Sequence, residues 1–254
     1  MILFPPSLDA IIAGRPLTRV DVGESGGDVL RVGDNAYLKH GSGLVAQDIA
    51  DEYARLTWLR GRIAVPRVLY FAAFEEASWL LTEAVPGQSA EDLLDDPRTR
   101  SSTISALAAF LHSFHALPAA ECPFEAGHEL RMIDARRNID AGRVDESDFD
   151  DNHRGWSAER IWKSLQQALP LPFQRVVTHG DFSTANIFLE AGEVTGCIDV
   201  GRAGVADPYQ DLAILWNNLG DQGPEAQAEL LASYGATEPD LARLRFHLDL
   251  DELF

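Results

Sequence analysis

Basic residues are scarce in this chain. Lysine and arginine together number 21 against 40 aspartates and glutamates, a formal net charge of -19 over 254 residues. A protein that grips a nucleic-acid duplex needs cations to displace counterions from phosphates, so this balance excludes a nucleic-acid partner. Long apolar runs are missing as well. Residues 1–12 are apolar but interrupted by Pro5, Pro6 and Asp9, and they lack a basic start. They read neither as a secretory signal nor as a membrane span, so no membrane partner is expected and the cytoplasm is the expected compartment. Only two cysteines occur, Cys122 and Cys197. Nothing around them has metal-ligand or redox spacing, and both are expected as buried, reduced thiols. No internal repeat or low-complexity tract is present.

What is abundant is negative charge, which concentrates cationic small molecules more readily than anything else. It is unevenly spread. Residues 140–151 hold Asp140, Asp145, Glu146, Asp148, Asp150 and Asp151 against one Arg143, and the end of the chain adds Asp249, Asp251 and Glu252.

The local patterns change character once along the chain. Residues 18–22, 29–32 and 36–39 read as short strands separated by glycine-rich or Asp-Asn turns, Gly23 to Gly27 and Gly33 to Asn35. Ile49, Tyr53, Leu56 and Leu59 fall on one helical face within residues 46–60. Residues 68–74 and 78–82 read as a second hairpin. The stretch Glu83-Ala84-Val85-Pro86-Gly87 closes this region. Beyond it the period is helical: residues 104–114, 130–141 and 158–169, the last with Ser157 as N-cap. Residues 176–200 read as strand, loop, strand, turn, strand, and three helices follow from Pro208. Thr237 to Asp240 has the capping-box spacing and an early proline, which places the start of the last helix at Thr237. The expectation is an α+β, bilobal fold: residues 1–84 a small β-rich nucleotide-binding lobe with one helix, residues 85–254 a larger, mainly helical lobe that carries catalysis and the acceptor.

The densest chemistry lies in His179-Gly180-Asp181, Asn186 and Asp199. A carboxylate, an amide five residues on and a second carboxylate thirteen beyond that suit metal-assisted phosphoryl transfer, which needs a group to orient the attacking hydroxyl and hard oxygens for Mg²⁺. Asp181 is the candidate for the first role, Asn186 and Asp199 for the second. Upstream, Lys39 ends a strand and Glu52 lies on the helix that follows, so the glutamate can hold an ammonium set against nucleotide phosphates. Asp211 reads as support for the loop around Asp181. His112 and His115 share a helix but lack a third metal ligand. Trp156, Trp162 and Trp216 read as core.

The segment from Thr178 to Asn186, running into Ile198-Asp199-Val200-Gly201-Arg202 and on to Ala206-Asp207, resembles the aminoglycoside 3'-phosphotransferases, relatives of the protein kinases, as does the ending Leu250-Asp251-Glu252-Leu253-Phe254. The resemblance spans essentially the whole chain and implies a protein-kinase-like fold, ATP or GTP with Mg²⁺ as cofactors, and a cationic aminoglycoside as substrate. Residue by residue it implies Asp181 as the catalytic aspartate, Asn186 and Asp199 as metal ligands, and Lys39 with Glu52 as the phosphate-positioning pair. It implies Tyr37 stacked on the base, Ser25 in the nucleotide loop, and the backbones of Thr82 and Ala84 reading the base. For the sugar it implies Asp148 and Asp150 in an acidic lid, with Arg202, Asp221, Glu252 and Phe254 on the substrate side. Two positions depart from the pattern: Asn217 stands where the family often has arginine, and Ser147 where some relatives carry a lid carboxylate. The expected activity is transfer to the 3'-hydroxyl by a monomer or weak dimer. A kinase for another aminoglycoside position or another small alcohol remains an alternative, as does a catalytically silent nucleotide binder.

Overall fold

Proline opens the first helix instead of preventing it. Pro6 stands in the first turn of α1 (Pro6–Ile12), where a missing N–H leaves no hydrogen bond unmade. Its Leu8 and Ile12 are buried. Among its described residues the small β-rich part therefore holds two α-helices, not the single one expected, because Pro5 and Pro6 interrupt the apolar run that Pro6 in fact opens as a helix.

The computed structural model describes residues 4–20, 27–150 and 152–254. The chain divides into two units, one formed by Met1–Pro86 with Thr195–Gly201 and the other by Gly87–Val194 with Arg202–Phe254.

In the first unit, β1 (Leu17–Arg19), β2 (Asp28–Val32) and β3 (Ala36–Ser42) are followed by α2 (Leu44–Leu59), β4 (Val68–Phe74) and β5 (Ala77–Glu83). The strands form one antiparallel sheet in the order β1-β2-β3-β5-β4. Alternation along β3 decides what each face carries. Ala36 and Leu38 pack with Leu30, Val32, Trp79, Leu81 and the apolar side of α1, while Tyr37 and Lys39 point the other way. The buried positions of α2 are Ala46, Ile49, Glu52, Leu56 and Leu59. At that spacing Glu52 shares the apolar stripe of the helix, so the fold carries its carboxylate inward whatever its own preference. The segment 195–201 is stitched to this unit by the Cys197 N–H, which donates to the Ala64 carbonyl at 3.1 Å, and by the Thr195 hydroxyl on the Pro86 carbonyl.

The second unit begins with β6 (Gln88–Ser89) and α3 (Ala90–Leu94), then α4 (Arg100–His115), α5 (His128–Asp140), α6 (Ala158–Ala168), β7 (Val176–Thr178) and β8 (Ile187–Glu190). From β8 the chain runs into β9 (Glu193–Cys197) and returns through β10 (Gly204–Ala206), α7 (Tyr209–Asn218), α8 (Pro224–Tyr234) and α9 (Leu241–Asp251). β7 pairs antiparallel with β10, and β6 with β8. One core cluster joins Met132 and Ala135 of α5, Ile161 and Leu165 of α6, and Phe246, Leu250 and Leu253 at the end of the chain. Truncating one such leucine costs about 2–5 kcal/mol. Ser157 caps α6 as expected, accepting the Arg160 N–H. The last helix starts later than its sequence suggested: Asp240, not Thr237, is the cap, its carboxylate accepting the N–H groups of Ala242 and Arg243. Neither cysteine forms a disulfide; Cys197 is buried, but Cys122 only partly. Among the described residues no helix is long and apolar enough to cross a membrane.

Candidate active site

Each unit presents its own group of chemically active side chains. In the first, the Lys39 ammonium donates to Glu52 Oε2 at 2.6 Å and also contacts Asp199 Oδ1. Lysine is rare here, Lys163 being the only other one in the chain, and this one is pinned. Burial alone would lower its pKa, but the two carboxylates outweigh that and hold it above the ordinary range. Burial raises Glu52 by more than the ammonium lowers it, as suits one cation shared between two anions. Asp199 adopts a left-handed backbone, φ 58°, a conformation aspartate tolerates better than bulkier residues. Tyr37 is exposed on the Lys39 side of β3, in register with Thr82 of β5. Thr82 lies inside the sheet, between Tyr37 and Val68. The Ala84 N–H donates to the Asn35 carbonyl at 2.9 Å, so a base would have to be read by the other backbone groups of this stretch. Ser25, with Gly23 to Gly26 of the glycine turn, lies outside the described residues.

In the second unit, the loop after β7 is fixed by its own backbone. Asp211, fully buried on the first turn of α7, accepts the N–H of His179 and of Gly180 at 2.8 Å each. It also meets His115 Nε2 at 3.1 Å, and His115 Nδ1 meets the Tyr234 hydroxyl at 2.7 Å. His115 is thus tied at both ring nitrogens and braces Asp211. Gly180 has φ +86°, and a Cβ there would lie 2.3 Å from the Arg202 carbonyl oxygen; only glycine fits. Asp181 follows. Asn186, buried at the end of a 3₁₀ turn, donates through Nδ2 to the Asp181 carbonyl at 3.1 Å and to Asp181 Oδ2 at 3.3 Å. Spending the amide nitrogen on the chain leaves the amide oxygen as the group to face a cation. Within its own unit each candidate ligand offers an oxygen of the hard kind that Mg²⁺ takes, Asn186 an amide oxygen in the second unit and Asp199 a carboxylate in the first.

A cavity of about 830 Å³ opens in the same unit, lined by Glu91, Asp92, Asp95, Asp150 and Asp221 among its fourteen residues, with no lysine, arginine or histidine. Its volume is that of a small-molecule site, and its wall is acidic. Trp216 and Asn217 also line it, so Trp216 is not purely a core residue. Of the substrate-side expectations, Asp150 and Asp221 meet at this cavity. Glu252 joins Asp150 by accepting its N–H at 3.2 Å. Arg202 is elsewhere in contact: its guanidinium carbon lies 5.3 Å from the Phe254 ring centre, and that of Arg131 lies 4.7 Å from the same ring. Asp148 is exposed on a turn and does not line the cavity. Asp145 caps that turn, its Oδ1 accepting both the N–H and the hydroxyl of Ser147. Asp151 lies outside the described residues.

Sequence reasoning missed three contributors. The carboxylates of α3 were hidden in an element too short to show a period. Asn218, whose Oδ1 accepts the Thr184 N–H at 2.9 Å, had no local signal. His153, buried among carboxylates, announced itself only as a histidine in an acid-rich run.

Residues 17–247 match the phosphotransferase enzyme family, APH. The chain is 43% identical to an aminoglycoside 3'-phosphotransferase of Escherichia coli, over 98% of this chain and 94% of that one, and 45% identical to another from the same organism over the same shares. Among solved structures, an aminoglycoside-3'-phosphotransferase of type VIII has a TM-score of 0.86 at 35% identity, covering 98% of this chain and 97% of that chain. An aminoglycoside phosphotransferase of the 3''-Id kind from Streptomyces rimosus, in complex with ADP and streptomycin, has a TM-score of 0.83 at 28% identity, covering 97% and 95%.

Proposed function

Because the chain belongs to the aminoglycoside 3'-phosphotransferase family, with its α+β, protein-kinase-like fold, we propose that it transfers the γ-phosphate of ATP to the 3'-hydroxyl of kanamycin- and neomycin-type aminoglycosides and so confers resistance to them. The observation that carries this reading is the Lys39 ammonium held between Glu52 and Asp199, residues separated by most of the chain yet joined at one nitrogen.

In this reading Lys39 neutralises charge on the nucleotide phosphates, and Glu52 keeps the ammonium from wandering. Tyr37 supplies an aromatic face for the base, beside Thr82 and Ala84, with Ser25 in the loop over the phosphates. Asn186 and Asp199 would hold Mg²⁺, which when bound neutralises triphosphate charge. Asp181 receives the acceptor hydroxyl and orients its oxygen toward phosphorus. A new P–O bond then forms as the bond to the β-phosphate oxygen breaks; ADP leaves and the hydroxyl proton passes toward the Asp181 carboxylate. Phosphoryl transfer is commonly loose, so positioning contributes more than early deprotonation. The Asp211 grip on residues 179 and 180 serves that positioning.

The acceptor carries several ammonium groups, and the acidic cavity is a wall of the kind that receives them, with Asp150, Asp221 and Glu252 as direct partners. Residues 1–84 bind the nucleotide, and residues 85–254 carry the catalytic groups and the acceptor, with Asp199 in the segment 195–201 that packs with the first unit. The enzyme acts in the cytoplasm as a monomer or weak dimer.

The product tests the regiochemistry. Phosphorus–proton coupling in its NMR spectrum is expected at the 3' carbon-bound proton. Coupling at any other sugar position would assign the enzyme to a different hydroxyl.

A further inference from the structure

His153 is 3% exposed, and its three side-chain hydrogen-bond partners among the described residues are all carboxylates. Nδ1 lies 2.9 Å from Asp150 Oδ1 and 3.1 Å from Glu252 Oε1. Nε2 lies 3.0 Å from Asp249 Oδ1, and Asp249 in turn accepts the Ser164 hydroxyl at 3.3 Å. Its ring stands edge-on to Trp156, centres 5.1 Å apart, which fixes its plane. One imidazole thus links the acid-rich loop before α6 to both Asp249 and Glu252 at the end of α9. The three groups lie close enough to suit a divalent ion, but both ring nitrogens already face carboxylate oxygens, so the cluster is knit by hydrogen bonds.

The electrostatics explains why something must stand there. Two carboxylates brought together without a cation or donor between them repel, and a buried one is costly. Burial raises Glu252 and Asp249, with the imidazole pulling both back toward their charged forms. Burial would raise Asp150 too, yet the imidazole and two backbone N–H groups outweigh it and hold that carboxyl below its ordinary range. Asp150 lines the acidic cavity.

We infer that His153 is the positioning residue of the acceptor site: it holds Asp150 and Glu252 side by side, anchored on Asp249, so that the pair meets the ammonium groups of the aminoglycoside at a set spacing. It touches no substrate itself and acts through its two carboxylate neighbours. The inference rests on the reading of this cavity as the acceptor site, and the test separates the two.

The test measures steady-state kinetics of the full chain with kanamycin and ATP for His153→Gln, Glu252→Gln and the double variant. Hydrogen bonds to a charged group are worth enough for His153→Gln to raise the kanamycin KM about tenfold, with kcat and the ATP KM essentially unchanged. Glu252→Gln is expected to raise the same KM, and the double variant to fall short of the product of the two single effects, because the histidine works in part through the glutamate. An unchanged kanamycin KM in His153→Gln, equal rises in both KM values, or effects that multiply independently would each overturn the inference. An unchanged kanamycin KM in Glu252→Gln would instead overturn the acceptor-site reading beneath it. Should His153→Gln not fold, Asp249→Asn, which takes the charge from the Nε2 partner and disturbs its Ser164 hydrogen bond while leaving Asp150 and Glu252 in place, carries the same measurement with an expected KM rise; no rise there overturns the inference.

Discussion

Asp211 grips the backbone of Gly180: its Oδ1 accepts that residue's N–H at 2.8 Å from the first turn of α7, with no solvent reaching the carboxylate. The other oxygen takes the N–H of His179 at 2.8 Å. A glycine at φ +86°, with the Arg202 carbonyl leaving no room for a Cβ, is thereby locked one residue before Asp181.

Replacing Asp211 by asparagine turns one of those acceptors into a donor that faces an N–H. Stability is expected to fall by about 1.5–3 kcal/mol, the range for losing a hydrogen bond to a charged group, seen as a lower urea midpoint. Turnover should fall with it while both KM values hold. A variant with normal kcat would show that the grip does not position Asp181.

Asp181→Asn keeps the shape and removes the carboxylate. Expected is a loss in kcat of about 10²-fold or more, the range of general-base catalysis, with the melting temperature unchanged. Lys39→Met should act differently, raising the ATP KM as well as lowering kcat. Near-normal turnover in Asp181→Asn would remove that residue from the reaction.

Charge should speed the arrival of the acceptor. The cavity wall carries carboxylates and no basic side chain, and steering of that kind raises encounter rates by roughly 10- to 1,000-fold at low salt. Raising ionic strength is expected to lower kcat/KM for kanamycin steeply and to change the ATP KM less. Equal salt dependence for the two substrates would contradict an acidic acceptor site.

The Glu252 carboxyl gives a pH signature. Burial, the largest influence on it, raises its pKa in the folded protein. A group raised on folding stabilises fully below its unfolded pKa, about 4.3 for glutamate, and loses that contribution as pH rises through the folded value. The melting temperature of the natural protein minus that of Glu252→Gln should therefore decrease as pH rises from about 4 to 7. Over the same range the kanamycin KM should fall, because the carboxylate that binds ammonium becomes charged. A gap that widens with pH would reverse the assignment.

Much of this was legible in the sequence where periodicity and burial agree. Strand alternation set Tyr37 and Lys39 on one side of β3, and the stripe of α2 carried Glu52 inward among Ile49, Leu56 and Leu59. The helix expected over residues 46–60 is observed as Leu44–Leu59. The Asp181-to-Asn186 spacing reads as a single tight loop because it is one, closed by the side chain of Asn186. Local chemistry failed where context decides. Pro6 is compatible with a first turn and reads as a breaker; Asp240 outcompetes Thr237 because its carboxylate reaches two N–H groups. The Ala84 N–H was lost to Asn35, 49 residues away, where the β3–β5 pairing runs on past its last strand residues. His153 depends on Glu252, 99 residues away, and only tertiary packing brings the two together.

The account is tested most directly by coupled ADP release from the purified chain with ATP and Mg²⁺, using kanamycin and its 3'-deoxy analogue in turn. It predicts saturable ADP release with kanamycin, dependent on Mg²⁺, and release no faster than without acceptor for the deoxy analogue. Equal release with both aminoglycosides would contradict transfer to the 3'-hydroxyl, and no release with either would contradict the kinase itself.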